Sequence, residues 1–411
     1  MIGGVRRGAP GRGVILLLLA GVAASGCRMI SRLGGSRWEG TVDTVGGVTV
    51  VRNPATPILE RGAVRLAPLW RDSLPDSLLE GPVWNPGPSL AVAGSRLYLL
   101  DRRGGRVDVF DAGDGAARGG WPTSAPGGRD SLVTLLALPG RVVVGSHQEL
   151  AVYPADGHGV HRIRLDADGR SLAPLDDTTV LSLEAGGGGV AWKRYVVTDT
   201  IGRPFLPGDI HSRIAPEVMD VDCWKMDGGG GRLLVLACTR PVVMAVGDTG
   251  AMLSEFGILR AADTASAAQL DTLRRLYRAR AEEMGSKLEG RVLDAMVERE
   301  ARLQRVEHVY RGLRFDSASG LYALLRQTPT FLGGSGTARL DLLTSAGLYL
   351  ATVDVPGRIV AYDLAGGTLY ALLARGGAAP PILAAFRVEI PSDVRERAAW
   401  WREPKKKEGG R

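Results

Sequence analysis

The chain has 411 residues, 57 of them Gly, with an apolar fraction of 45% and a formal net charge of +7. That length and apolar content support a sizeable core, and the abundance of Gly among short apolar runs points to many tight turns, the profile of an all-β protein. The excess of Arg over Lys, with frequent Ala and Gly, is the bias of a GC-rich genome, and no nucleic-acid partner is expected from it.

The chain opens with "MIGGVRRGAPGRGVILLLLAGVAASGC", in which Arg6, Arg7 and Arg12 precede an apolar core from Val14 to Ala24. That core is about half the ~20 residues needed to span a bilayer, and small residues lead from it to Cys27, so residues 1–26 read as a secretory signal. The ending "ASGC" resembles the bacterial lipoprotein signal, although Ala24 stands where Leu is usual. The resemblance implies cleavage before Cys27 and acylation of its thiol and amine, which holds a protein on a membrane almost irreversibly. Arg28 after the Cys implies, by the same resemblance, the outer membrane of a Gram-negative cell. The expectation is an exported protein, lipid-anchored to the cell membrane or the outer membrane, on its periplasmic face. Removing residues 1–26 takes away three Arg and no acid, so the mature charge is 7 − 3 = +4, too modest to define an acidic partner.

Residues 27–44 read as a tether. From 45 to 393 an apolar strand recurs after each turn: "RLYLLD" at 96, "RVVVGS" at 141, "GVAWKR" at 189, "RLLVLA" at 232, "GLYALL" at 320 and "TLYALL" at 368. A period of ~40–50 residues with several short strands per unit marks a β-propeller, and one nearly doubled gap marks an insertion. The expected fold is therefore all-β, a six-bladed β-propeller with a helical insertion between the fourth and fifth blades. "GVTVVRN" at 47–53 is expected to close the ring by completing the last blade, hiding strand edges that template aggregation.

The stretches "LYLLDRRGGRVDVFDAGDG", "YRGLRFDSASGLYALL" and "VPGRIVAYDLAGGTLYALL" resemble the NHL-like six-bladed propellers found as exported bacterial proteins. The resemblance spans roughly residues 45–392 and implies fold far more than activity.

The other two cysteines, Cys223 and Cys238, flank a hairpin with its turn at 227–231. Their spacing about the turn is slightly asymmetric, so a bulge is needed to face them. A disulfide between them would stabilise by about 3 kcal/mol in an oxidising compartment; two buried thiols are the alternative.

In the insertion, 262–311, Asp263 or Thr264 can cap a helix carrying Leu270, Leu273, Leu276, Tyr277, Ala281 and Met284. A second helix aligns Leu288, Val292, Ala295, Met296, Leu303, Val306 and Tyr310 on one stripe. The stripe is expected to pack on the propeller rim, or to serve as a lid or as the docking surface for a protein partner. The basic tail 394–411, with Trp400 and Trp401, reads as a solvated terminus, with contact to anionic lipid headgroups as the alternative.

No catalytic motif is legible: no metalloprotease helix, Walker loop, nucleophile elbow or Cys-x-x-Cys pair. His158 and His161 form the one close His pair, without a third metal ligand at a readable spacing. Asp101, Asp111, Asp316 and Asp363 recur at strand ends, where side-chain to backbone bonds cap turns. No catalytic residue, metal or cofactor is expected. The function expected is that of a membrane-tethered binding or scaffold module of the bacterial cell envelope, acting as a monomer. The alternative is a metal-dependent hydrolase or lyase of the lactonase kind, with its site in the central funnel.

Overall fold

The computed structural model describes residues 38–74, 89–102, 104–123, 132–186, 189–199, 201–205, 225–236, 242–258, 266–283, 285, 290–307, 310–327, 338–374, 381–392 and 394. Three strands open the chain: β1 (Thr41–Val45), β2 (Val48–Asn53) and β3 (Arg65–Ser73). Blade I is β4 (Ser89–Ala93), β5 (Arg96–Asp101), β6 (Arg106–Asp111) and β7 (Ala117–Pro122); blade II is β8 (Leu132–Leu138), β9 (Arg141–Ser146), β10 (Glu149–Pro154) and β11 (His161–Arg164). Blade III is β12 (Asp168–Pro174), β13 (Thr179–Gly186), β14 (Gly189–Val196) and β15 (Arg203–Pro204); blade IV is β16 (Lys225–Gly229), β17 (Arg232–Leu236), β18 (Val242–Gly247) and β19 (Met252–Ile258). Helices α1 (Ala267–Glu283) and α2 (Gly290–Glu307) follow. Blade V is β20 (Gly312–Asp316), β21 (Leu321–Gln327), β22 (Ala338–Thr344) and β23 (Tyr349–Val355), and blade VI is β24 (Arg358–Ala365), β25 (Thr368–Ala374) and β26 (Ile382–Glu389) with β3.

The first strands of the blades, β4, β8, β12, β16, β20 and β24, follow one another in a ring, and β24 returns to β4. The chain is a six-bladed β-propeller with a helical insertion between the fourth and fifth blades, as its repeat requires. Five of the six repeated apolar runs are the second strand of a blade. They are apolar without alternation because each second strand is covered on both faces by the neighbouring blades: Leu97, Leu99 and Leu100, Val142 and Val143, and Leu233 to Val235 are fully buried. The exception is "GVAWKR", which lies in β14, a third strand. The second strand of blade III, β13, does not stand out in the sequence because it carries Ser182 and Glu184 in its interior. Glu184 is tolerated there because Tyr195 Oη donates to it at 2.6 Å and the Ala167 amide at 3.0 Å.

Closure differs from the expectation. The fourth strand of blade VI is β3, antiparallel to β26 from Ile382↔Ser73 to Glu389↔Arg65. The run at 47–53 instead forms β2, which lies parallel to the outer strand of blade IV, from Ser254↔Thr49 to Ile258↔Asn53. With β1 beyond it, blade IV becomes six strands wide. Fully buried Asn53 fixes this placement: its amide donates to the Gly257 and Gly347 carbonyls at 3.0 and 2.8 Å and accepts from the Tyr349 amide at 2.7 Å, stitching blade IV to blade V. A Cβ on Gly347 would meet the Phe256 ring at 2.7 Å, so Gly also allows this close approach of the two blades.

The helices pack on each other. Leu273 of α1 meets Leu293 and Val297 of α2, with Leu270 and Tyr277 against them, and Arg274 binds Asp271 at 2.9 Å and Asp294 at 3.2 Å. The cap of α1 is Ser266, in a reciprocal box with Gln269; Asp263 and Thr264 lie outside the described residues. The buried face of α2 is also one position away from the expected stripe: Leu293 and Val297 are buried, while Val292 and Met296 are exposed.

Candidate functional site

Each first strand runs toward the same end of the channel and turns there into the second, so six turns (94–95, 139–140, 175–178, 230–231, 317–320, 366–367) surround one mouth. Inside it lies a cavity of about 210 Å³, lined by residues of all six blades, room for about seven waters at their share of liquid volume.

Three carboxylates on the cavity wall join consecutive blades. Asp227 of β16 accepts from the Phe315 amide of blade V at 2.6 Å. Asp316 of β20 accepts from the Gly367 amide of blade VI at 2.7 Å. Asp363 of β24 accepts from the Val92 amide of blade I at 2.8 Å, and from its neighbour Leu364 at 2.9 Å. Inner strands in a propeller approach one another without a full ladder, so a side-chain acceptor on one strand satisfies an amide on the next.

Arg314 of β20 supplies the positive charge. It donates to the Tyr362 and Leu313 carbonyls at 3.0 and 3.2 Å, lies 5.5 Å from the Tyr362 ring centroid and approaches Asp363 at 3.5 Å. Burial pushes the Asp227 carboxyl up to about 7, against the pull of Arg314 and with the repulsion of Asp363. The Asp363 carboxyl is raised too, again by burial first, with Arg314 opposing. Burial works against the charge of Arg314, but Asp227 and Asp363 overcome it and its pKa is raised. The wall is thus an internal ion-pair network with one carboxyl poised to titrate near neutrality.

Asp227 was hidden in the sequence, where "DGGGG" reads as one turn. The strand in fact runs to Gly229, and Gly228 must be Gly because a Cβ there would lie 2.2 Å from the Pro174 carbonyl oxygen and 2.4 Å from that of Arg232. Of the four recurrent aspartates, Asp101, Asp111 and Asp316 do cap turns, accepting from the amides of Gly104, Gly113 and Ala318. Asp363 lies within β24 and serves the neighbouring blade instead.

His158 and His161 are engaged separately: the His158 amide donates to Asp156, and His161 Nε2 lies 3.1 Å from the Asp199 carbonyl oxygen. His147 pairs with Asp168 at 2.7 Å on the surface. Among the described residues no group of three or more His, Cys, Asp or Glu is arranged to hold a metal. Cys27, Cys223 and Cys238 lie outside the described residues. The hairpin between the last two pairs regularly from Gly229↔Arg232 to Lys225↔Leu236, without a bulge.

No protein-family model matches the chain, and no curated protein matches it. Among solved structures, a member of the DUF4221 family from Bacteroides vulgatus is 9% identical, covering 81% of this chain and 100% of its own, with a TM-score of 0.48. A protein from Bacteroides fragilis described provisionally as exported is 12% identical over 83% of this chain and 100% of its own, with a TM-score of 0.47. BamB from Moraxella catarrhalis is 13% identical over 78% and 97%, with a TM-score of 0.36.

Proposed function

We propose that this chain is a non-enzymatic binding and scaffold module of the bacterial cell envelope, tethered to a membrane by acylated Cys27 and recognising its ligand with the turns around the channel mouth. The observation that carries the reading is how the charged groups of the cavity are used. Asp227, Asp316 and Asp363 each accept the amide of the following blade, and Arg314 is folded onto two carbonyls. The inner wall is therefore a frame, and the turns it holds rigid are what remains for recognition. The tether is supported by the "ASGC" ending, and no described helix is long and apolar enough to cross a membrane.

The test is in-cell crosslinking from Asp177, an exposed residue of the mouth, in the full chain and in a Cys27→Ser variant. One recurrent partner captured from Asp177, with release of the variant from the membrane fraction, supports the reading. Capture of nothing from this or other mouth positions rejects it.

A second reading is favoured by one observation, the Asp227 carboxyl pushed up to about 7 in a cavity. A group poised there suits general acid–base catalysis, as in a hydrolase or lyase. Stoichiometric metal in the purified protein, or turnover abolished by Asp227→Asn, would establish it in place of the first.

A further inference from the structure

The strand registers give the molecule two distinct ends. In blade IV, β16 runs to the mouth, β17 away from it, β18 back and β19 away, so Ile258 lies at the end opposite the cavity. Because β2 is parallel to β19, with Asn53 opposite Ile258, β2 ends there too. Its antiparallel neighbour β1 begins there, with Thr41 opposite Arg52. The chain from Cys27 thus enters the propeller, and the helical insertion leaves it, at one corner of the end remote from the mouth. Two inter-strand spacings of about 4.8 Å separate the two points, roughly 10 Å.

Thirteen residues, 28–40, connect Cys27 to Thr41, a reach of at most about 45 Å when extended. Helix α2, with 18 residues, is about 27 Å long, so the hairpin is commensurate with the gap that the tether leaves. Two large apolar side chains on its outer face are exposed. Val292 is 61% and Met296 36% exposed one turn apart, although Leu293 and Val297 already bury the other face against α1. Among the described side chains, Arg275, Arg278 and Arg291 of the hairpin are also exposed, Asp271 and Asp294 pair with Arg274, and Glu282 and Glu298 are exposed acids.

We propose that the hairpin α1–α2 is a foot that docks on the anionic phospholipid surface to which Cys27 is tethered, holding the channel mouth toward the side away from the bilayer. The proposal rests on the tether reading for its setting. The occupant is the bilayer because the tether delivers this corner to it, because two apolar side chains stand exposed on a hairpin that also carries exposed arginines, and because the anchor converts weak surface binding into an intramolecular event.

The test uses chain 28–411, which lacks the acyl group, with vesicles of phosphatidylethanolamine and phosphatidylglycerol or of phosphatidylcholine alone. Binding to the anionic vesicles that weakens with salt and falls at least tenfold in Val292→Ser/Met296→Ser is expected; the substitutions are on the surface, and an unchanged melting curve controls for folding. A fluorophore on Met296→Cys should be quenched by headgroup nitroxides, and one on Asp177→Cys should not. No vesicle binding, binding indifferent to the double substitution, or equal quenching at both positions overturns the proposal, as does capture of a protein rather than lipid by a crosslinker at 296. The tether reading is tested apart, by the mass of the N-terminal peptide from membranes: an unacylated Cys27 there removes the tether while the vesicle result still judges the foot.

Discussion

Replacing Asp227 by Asn tests the electrostatics of the channel directly. In the unfolded chain the Asp227 carboxyl titrates near 3.8, and in the folded protein it is pushed up to about 7. Between those values the unfolded state has released a proton that the folded state retains, so stability falls as pH rises from about 4 to 7. A difference of one in pKa between the two states corresponds to about 1.4 kcal/mol, so the loss from this one group reaches roughly 4 kcal/mol at most. Asn is nearly isosteric and keeps an oxygen to accept the Phe315 amide, but it never ionises. Denaturant unfolding at a series of pH values should find wild type and Asp227→Asn similar near pH 4. The variant should become progressively the more stable of the two up to pH 8, by about 2–4 kcal/mol. Glu184, another raised carboxyl that is not coupled to Asp227, tilts both curves together, so the difference reads Asp227 with its partners Arg314 and Asp363. A difference that does not change with pH would refute the reasoning, and one that grows toward acid would reverse its sign.

Asn53→Ala removes three hydrogen bonds across blades IV and V and leaves the buried Tyr349 amide without its acceptor; at about 1 kcal/mol each, the loss is about 3 kcal/mol, read by denaturant unfolding together with faster exchange of the Tyr349 amide. Gly228→Ala drives a methyl into two backbone carbonyls and is expected to destabilise by about 2–3 kcal/mol, whereas Gly230→Ala tests only the positive φ of 61° in the adjoining turn and should lose less. The expectation from the sequence for Cys223 and Cys238, which lie outside the described residues, is a disulfide. Peptide mapping without reductant should therefore recover them joined, and loss of the bond should lower stability by about 3 kcal/mol; recovery of two free thiols from exported protein would refute the pairing.

The architecture was legible because five of the six blades carry a second strand that is apolar on both faces, a demand that any stack of blades makes of its middle layer. Blade III kept its geometry but met part of that demand with the Glu184–Tyr195 hydrogen bond, and so its third strand was the one that showed. Length and periodicity also revealed the helical insertion, since no blade needs so long a link. What local pattern could not decide was pairing between segments far apart in the chain. "VTVVRN" and "RLAPLWRDS" both suit an edge strand; blade VI took the second, and buried Asn53 bound the first between blades IV and V. Likewise, Val292 and Leu293 both belong to apolar lines of α2, and only packing against α1 determined which was covered. Asp227, ahead of four glycines, looked like the start of a turn until the Pro174 and Arg232 carbonyls showed why Gly228 had to be glycine within a strand. The sequence by itself determined how many blades there are, because an apolar strand recurs once in each repeat. Only the tertiary structure decided which distant strands meet and which carboxylates share the channel, because those depend on closing the ring.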